Sequence, residues 1–465
     1  MSILAAYALP HPPLAIPEIG QGKEKEIQDT LDAFMKVSQE VKNLEPDTII
    51  FITPHTVAYS DYFHISPGLD AGGDFANFGA PTVTLTKPYD VALAAAVTRR
   101  AEELDIRAGT MGERDPALDH GVMIPMWFLD KNYSEYKCLR VSQSGFPVET
   151  HYIFGRAIAQ AVNDLNRKAV IIASGDLSHK LLKSGPYGYV PEGPEYDRQV
   201  TQALSQGDFL SLMNMNDKFI ETAADCGYRS YIIMAGCLDK TDLRSALLSY
   251  EGPFGVGYAV LGFYPEGTND SRDFERIYLE QITRSSKESK QTEDEYQSLA
   301  RKSLEHLVKT GIRYTITAED TEELPAGLTE SQAGVFVSLH INGRLRGCIG
   351  TITPTQSNIA REIIQNAEWA GLSDDRFAPV TVEELPLLTY KVDVLKEAEQ
   401  ISDSSMLDVN RYGVIVSNGS RWGLLLPNLE GITTVNQQLS IARSKASIGE
   451  NESIQLYRFE VVRHG

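Results

Sequence analysis

The chain has 465 residues, with 43 basic and 63 acidic side chains and a formal net charge of −20 at pH 7. That length predicts two or three domains. The negative charge repels phosphate backbones and acidic lipid surfaces, so we expect neither nucleic acid nor membrane as a partner. Four cysteines without a CxxC pair, no leader-like start and no run of about 18 apolar residues predict a cytoplasmic protein.

Residues 1–267 alternate short apolar runs with segments of helical periodicity. The runs Ile3–Leu9 and Thr48–Thr53 are predicted strands, and apolar residues recur between them at helical spacing. Residues 168–174 and 257–264 are further predicted buried strands. This alternation predicts an α/β sandwich.

The remainder of the chain has a different pattern. Residues 268–292 are polar and weakly periodic, so we interpret them as a linker, with a short helix inside it. Residues 293–465 mix a helix at 297–310 with strands and a hairpin whose turn contains Asn418 and glycine. They predict a smaller α+β domain.

Four histidines of the first domain lie where strand-like runs end: His11, His55, His120 and His179. In an open α/β sheet the loops after parallel strands converge at one edge, so distant positions meet there. Imidazole is the commonest protein ligand for Fe, Zn and Cu. A single histidine is more often a packed or surface residue than a ligand, but the set favours a metal site.

The segments PHPP, TPH, LDHG and SGDLSH, in this order over about residues 3–265, resemble the LigB-type class III extradiol dioxygenases and their relatives in the Memo family. In those dioxygenases two histidines and one carboxylate bind Fe(II) and leave positions open for a catecholic substrate and O₂. The resemblance implies that His11 and His55 are metal ligands. It implies that His179 is the acid/base histidine and that His120 contacts the ligands or the substrate.

The third ligand is expected in the segment ETAADCGYRS. Asp225 is the first choice and Glu221 the second. Cys226 is the third, because Memo-type members have a cysteine at this point. A carboxylate favours Fe(II), the expected cofactor, whereas a thiolate favours Zn or Cu. The resemblance also implies a small aromatic or other small-molecule substrate and a homo-oligomer.

The segment LRGCIG, residues 345–350, is the densest local pattern of the second domain. Arg344 and Arg346 flank Cys348 and are able to lower the pKa of its thiol, which would give a nucleophile or an anion site. The favoured interpretation is a strand and turn with a small buried cysteine. His340 is the nearby candidate base.

LRGCIG, with DDRFAPV and ELPLLTYKVDVL, resembles the AMMECR family over about residues 293–463. That resemblance implies a cleft lined by Arg346, Cys348, Asp375 and Arg376, and no established reaction.

Joined to a LigB or Memo-like domain, the AMMECR-like domain resembles the AmmeMemoRadiSam system. It implies a separate radical SAM partner, since this chain has no CxxxCxxC motif. The sequence thus predicts an Fe(II) oxidoreductase of the extradiol dioxygenase type. The alternatives are a Memo-type metal-binding protein without that activity, acting with the radical SAM partner, and an activity that depends on Cys348.

Overall fold

The computed structural model describes residues 2–112, 117–317, 324–429 and 431–465. The chain divides into two compact units, Met1–Leu279 and Glu280–Gly465. Much of the segment predicted to be a linker, 268–292, is a helix that spans this division. Among the described residues, no helix is both long enough and apolar enough to cross a membrane.

The first unit alternates strands and helices along the chain. Its strands are β1 Ile3–Leu9, β2 Thr48–Thr53, β3 Phe63–His64, β4 Asp70–Phe75, β5 Ala80–Pro88, β6 Ala108–Gly109, β7 Lys137–Ser142, β8 Ala169–Ser174, β9 Thr241–Glu251 and β10 Tyr258–Thr268. Its helices are α1 Pro17–Gly20, α2 Gln28–Leu44, α3 Val91–Glu103, α4 His120–Leu129, α5 Val148–Asp164, α6 Glu192–Gln206, α7 Phe209–Met213, α8 Asp217–Ala223, α9 Tyr228–Cys237 and the spanning helix α10 Phe274–Gln291.

The main sheet of the first unit has the strand order β7-β2-β8-β1-β10-β9. The first four strands in that order are parallel, and β10 and β9 add antiparallel pairs at one side. The residues of β2 and β8 are buried throughout, because helices cover both faces of the sheet. The predicted α/β architecture is confirmed. The carboxyl ends of β1, β2 and β8 meet at one edge.

The second unit contains α11 Glu295–Thr310, α12 Ala326–Glu330, α13 Ile359–Leu372 and α14 Val435–Lys445. Its strands are β11 Val335–Ile341, β12 Arg344–Gly350, β13 Leu388–Leu395, β14 Glu399–Ile401, β15 Gly413–Ser417, β16 Trp422–Leu425, β17 Gln455–Phe459 and β18 Val461–His464.

These strands form two antiparallel sheets, β12-β11-β13-β18 and β14-β17-β15-β16. Helices α11 and α13 pack on the first sheet through a core that includes Leu304, Ile363 and Val337. Helix α14 packs on the second sheet. This arrangement confirms the predicted smaller α+β domain.

Candidate metal centre

Three potential metal ligands meet at the carboxyl edge of the parallel strands. His11 Nε2 lies 3.0 Å from His55 Nε2 and 3.5 Å from Cys226 Sγ. One ligand atom from each side chain lies within 4.8 Å of the others. His11 follows β1, His55 follows β2, and Cys226 precedes α9. The cluster therefore joins residues up to 215 positions apart in the sequence.

The order of the strands brings the two histidines together. Strands β1 and β2 flank β8 and both pair with it in parallel, so the loops that follow them leave the sheet at the same end of β8. The backbone N–H of His11 donates to Asp176 Oδ1 at 2.7 Å, which joins the loop after β1 to the loop after β8. The prolines beside His11 and His55 limit the backbone freedom of both loops.

Ser174 fixes the tautomer of His11. The Ser174 hydroxyl lies 2.5 Å from the carbonyl oxygen of Gly121 and 2.8 Å from His11 Nδ1. A hydroxyl has one proton, and the carbonyl can only accept, so Ser174 donates to Gly121 and accepts from Nδ1–H. The lone pair of His11 is then on Nε2, the atom that faces His55 and Cys226.

The Cys226 thiol also has a backbone donor. Its Sγ accepts a hydrogen bond from the N–H of Asp176 at 3.2 Å. Burial raises the pKa of the thiol well above its usual value, and the carboxylates of Asp176 and Asp225 raise it further. A metal ion that binds the thiolate must therefore release the thiol proton.

Burial favours the neutral form of the histidines at this edge. Burial lowers the pKa of His11 well below its usual value, with smaller contributions from the other imidazoles. Burial, and then His120, lowers the pKa of His55 to about 4. Burial also lowers the pKa values of His120 and His179. Neutral imidazole is the form that binds a metal ion, so these shifts favour metal binding over protonation.

His120 lies beside the cluster rather than within it. Its ring stacks on His55 with ring centres 4.2 Å apart. His120 is the first residue of α4, whose N-cap, Asp119, accepts from the N–H of Val122 and from Thr53 Oγ1 at 2.7 Å. A Cβ at Gly121 would lie 2.6 Å from Thr53 Oγ1, so glycine permits this close approach.

His179 lies in the loop after β8. Its Nε2 is buried and has no hydrogen-bond partner among the described residues. Its ring centre lies 5.1 Å from that of Tyr187. After burial, the charge of His55 is the next cause that lowers the pKa of His179. His179 therefore lies close enough to the cluster to interact with His55 electrostatically. A free ring nitrogen is able to accept or return a proton.

The cluster fits a transition-metal ion. With typical metal–ligand distances, two nitrogens lie about 3.3 Å apart in a tetrahedral site and about 2.9 Å apart at a right angle, and tetrahedral nitrogen and sulfur ligands lie about 3.6 Å apart. The observed 3.0 Å and 3.5 Å agree with these separations. His11 is buried while His55 is exposed, so solvent or a small molecule can approach from the His55 side.

Asp225 and Glu221 have other surroundings. The Asp225 carboxylate accepts from the N–H of Tyr228 at 2.6 Å, and burial raises its pKa to about 6. This contact caps the turn before α9 and orients the carboxylate toward the helix backbone. Glu221 is exposed on α8. The ligand group that the structure brings together contains Cys226, the third choice from the sequence, and the role of Asp225 stays a prediction.

In the second unit, the predicted cleft residues form two ion pairs beside Cys348. Arg376 pairs with Asp374 at 2.6 Å, and Asp374 also accepts from the N–H of Cys348 at 2.9 Å. Arg346 pairs with Glu384 at 2.6 Å. Asp375, predicted to line the cleft, is exposed next to these pairs.

The surroundings of Cys348 favour a partly buried cysteine over a thiol activated by Arg344 and Arg346. Burial raises the pKa of the thiol, and this effect exceeds the lowering by a hydrogen bond from Ser338 and by the charge of Arg376. The Arg346 guanidinium is neutralised by Glu384. The candidate base His340 has its pKa lowered to about 4 by burial.

Comparison with known families agrees with both halves of this architecture. Residues 5–261 match the family described as the catalytic LigB subunit of aromatic ring-opening dioxygenase. Residues 297–464 match the AMMECR1 family. The chain belongs to the LigB family through its first unit, and this domain is fused to an AMMECR1 domain.

The same fusion occurs in a relative. Protein CA_C1420 of Clostridium acetobutylicum is 39% identical over 486 aligned positions, which cover 100% of this chain and 99% of the relative. A Thermotoga maritima protein is 46% identical over 160 residues, covering 34% of this chain and 92% of its own.

Solved structures are similar to parts of the chain. The uncharacterized protein PH0010 of Pyrococcus horikoshii is 30% identical, with a TM-score of 0.33, covering 36% of this chain and 88% of that one. The uncharacterized protein JW3007 of Escherichia coli K12 is 14% identical, with a TM-score of 0.37, covering 56% of this chain and 99% of that one.

Proposed function

We propose that the first unit is a metal-binding domain that holds one transition-metal ion through His11 Nε2, His55 Nε2 and Cys226 Sγ. The observation that carries the proposal is the approach of these three atoms to within 4.8 Å of one another. The thiolate makes the site softer than a site of two histidines and one carboxylate. We therefore expect copper or zinc to bind more tightly than Fe(II).

The surrounding residues support this role. Ser174 holds the lone pair of His11 toward the site, and the N–H of Asp176 stabilises the Cys226 thiolate. The ion, when bound, supplies Lewis acidity or electron transfer, according to its identity. His179 Nε2 would exchange a proton with a substrate, and His120 would hold the His55 ring by stacking.

Metal analysis of anaerobically purified protein tests the ligand set. We expect about one ion per chain in the wild type and its loss in His11→Ala, His55→Ala and Cys226→Ser. Asp225→Asn is the matched variant, because it changes the neighbouring residue without removing a member of the group. Retention of the ion in the first three variants, or its loss only in Asp225→Asn, would overturn the assignment.

The second candidate function is an Fe(II) oxidoreductase of the extradiol dioxygenase type, acting on a small aromatic substrate. Membership of the LigB family favours it. Phe78 lies with its ring centre 5.4 Å from that of His120, so an aromatic side chain is available beside the cluster. His179 would act as the acid/base group in ring cleavage.

Oxygen consumption with catechols separates the two candidates. Protein reconstituted anaerobically with Fe(II) should consume O₂ and form a ring-opened product if the second candidate is right. Full metal binding without any turnover would favour a metal-binding role. In that case we propose a separate radical SAM protein as the functional partner, tested by co-purification of the two proteins.

A further inference from the structure

A cavity in the second unit has no part in the metal centre. It has a volume of about 670 Å³ and lies beside both antiparallel sheets of that unit. This volume lies within the range of small-molecule binding sites. One wall comes from the second sheet through Ile415, Trp422, Tyr457 and Phe459. The other includes Gly334 of the turn before β11 and the loop at residues 352–354.

The aromatic wall is built by strand register. Ile415 lies opposite Tyr457, and Ser417 lies opposite Trp422, so the lining side chains belong to one face of the sheet. The other face carries Val414 and is covered by α14. The lining face is therefore the one that the helix of this sheet leaves free.

Two rings of this wall are in contact, and one of them is accessible. Trp422 and Tyr457 stack with ring centres 5.7 Å apart and an angle of 29° between the rings. Trp422 is 50% exposed, whereas Phe459, farther along the same face of the sheet, is 2% exposed. A half-exposed indole on an otherwise apolar wall offers a flat surface for another ring.

The opposite wall is rigid before any ligand arrives. The buried carboxylate of Glu362 accepts hydrogen bonds from Thr351 Oγ1, from Thr355 Oγ1 and from the backbone N–H groups of Thr355 and Gln356. These contacts hold the loop that carries Pro354. A Cβ at Gly334 would lie 2.3 Å from the carbonyl oxygen of Ile352, so the loop packs directly on the backbone there.

The charge of the lining does not call for an ionic ligand. The two charged lining residues are Lys396 and Glu397. Lys396 pairs with the Glu460 carboxylate at 2.9 Å, so its ammonium group is already compensated, and Glu397 is exposed to solvent. The lining is otherwise dominated by apolar and aromatic side chains. Ring contact therefore provides more of the recognition than charge does.

We propose that this cavity is a binding site for an uncharged, planar aromatic small molecule that stacks on Trp422. A site that is preformed loses less conformational entropy when the ligand binds. The hydrogen-bonded loop makes this site preformed. The proposal is independent of the metal centre, because no residue of that centre lines the cavity.

The test uses the full chain and the neutral fluorescent probe N-phenyl-1-naphthylamine. We expect saturable binding by the wild type. Trp422→Leu should weaken binding roughly tenfold, since it removes the stacking surface and keeps an apolar side chain. Ala398→Phe should weaken it similarly by filling the cavity from its exposed rim. Val382→Ala, at an exposed apolar position outside the lining, is the control.

Competition identifies the class of ligand. Naphthalene should displace the probe at least tenfold more effectively than decalin, a saturated molecule of similar size. The proposal would be overturned if the wild type showed no saturable binding, or if both Trp422→Leu and Ala398→Phe bound the probe as tightly as the wild type. Displacement of the probe by decalin as effective as that by naphthalene would overturn it as well. Circular dichroism checks the fold of each variant, and Ala398→Phe keeps the test valid if Trp422→Leu does not fold.

Discussion

The two units contain a cysteine in very different surroundings. Cys226 lies 3.5 Å from His11, a residue 215 positions away, and belongs to a group of side chains that could hold a metal ion. Cys348 lies among charged side chains that already form ion pairs. The residues that these contacts join are no more than 38 positions apart in the sequence. A parallel sheet gathers distant loops at one edge, whereas antiparallel neighbours bring together residues close in sequence. The comparison indicates that the spatial neighbours of a thiol, rather than its local sequence motif, decide which chemistry it is able to perform.

The largest expected effect is the loss of metal affinity when the Cys226 thiol is removed, and removal of the Cys348 thiol is the comparison. Cys226→Ala should weaken binding of Cu(I) or Zn(II) at least 100-fold, because it removes one of the three ligands. Cys348→Ala should leave the affinity unchanged, since that thiol belongs to the other unit. Competition with a chelator of known affinity measures both. Equal loss in the two variants would break the comparison.

Ser174→Ala should have a smaller effect on the same site. The variant loses the hydroxyl that accepts from His11 Nδ1, so Nε2 is no longer held as the free nitrogen. Groups that orient a ligand in this way contribute roughly 10- to 100-fold in metal affinity.

Ser178→Ala is the matched control for Ser174→Ala. Ser178 is also buried after β8, but its hydroxyl donates to the carbonyl of Ala223. If both variants bound the metal like the wild type, the tautomer argument would fail while the ligand assignment would stand. If the wild type bound no metal, the proposed function itself would fail.

The order of β1, β2 and β8 explains how much of the site the sequence could predict. Apolar runs and the loops after them were enough to place His11 and His55 at one edge. The third ligand was harder to predict, because Asp225 and Cys226 are neighbours in an irregular segment. The contacts of the fold distinguish them: the Asp225 carboxylate accepts from the N–H of Tyr228, whereas Cys226 Sγ lies 3.5 Å from His11 Nε2. The sequence did contain one signal that Asp225 would bond to the backbone: it lies three residues before the start of a helix.

In the second unit, the sequence predicted the elements better than the electrostatics. The predicted helix at 297–310 and the predicted hairpin are present, and the glycine of the hairpin turn, Gly419, has a positive φ of 94°. The pairing of Arg346 with Glu384 depends on two segments that meet only in the fold. Local sequence shows the arginine beside the cysteine and does not show the carboxylate that neutralises it.

Stability should respond to pH with opposite signs in the two units. Burial raises the pKa of Asp197 to about 7, whereas Arg376 lowers the pKa of Asp374 to about 2. Folding favours the protonated form of Asp197, so its contribution to stability is complete below its ordinary pKa of 3.8 and is lost as the pH rises through 7. Linkage makes that loss roughly 4 kcal/mol at most. The contribution of Asp374 is complete above 3.8 and is lost as the pH falls through 2.

Asparagine at each position tests these signs. Asp197→Asn should stabilise the first unit at pH 8 relative to the wild type and have less effect at pH 4. Asp374→Asn should destabilise the second unit by about 1–3 kcal/mol at pH 7, since it loses a charged partner of Arg376. Hydrogen exchange followed by mass spectrometry reports each unit separately. The same direction of change at pH 8 in both variants would contradict the argument.

Thiol reactivity gives the smallest expected effect. Because burial raises the pKa of Cys348, iodoacetamide should alkylate it several-fold more slowly than a free thiol at pH 7.5. Arg376→Met should slow the reaction a little further, since the positive charge that favours the thiolate is removed. Alkylation faster than a free thiol would instead indicate an activated nucleophile. The two cysteines would then differ in the kind of chemistry they perform, not in whether they perform any.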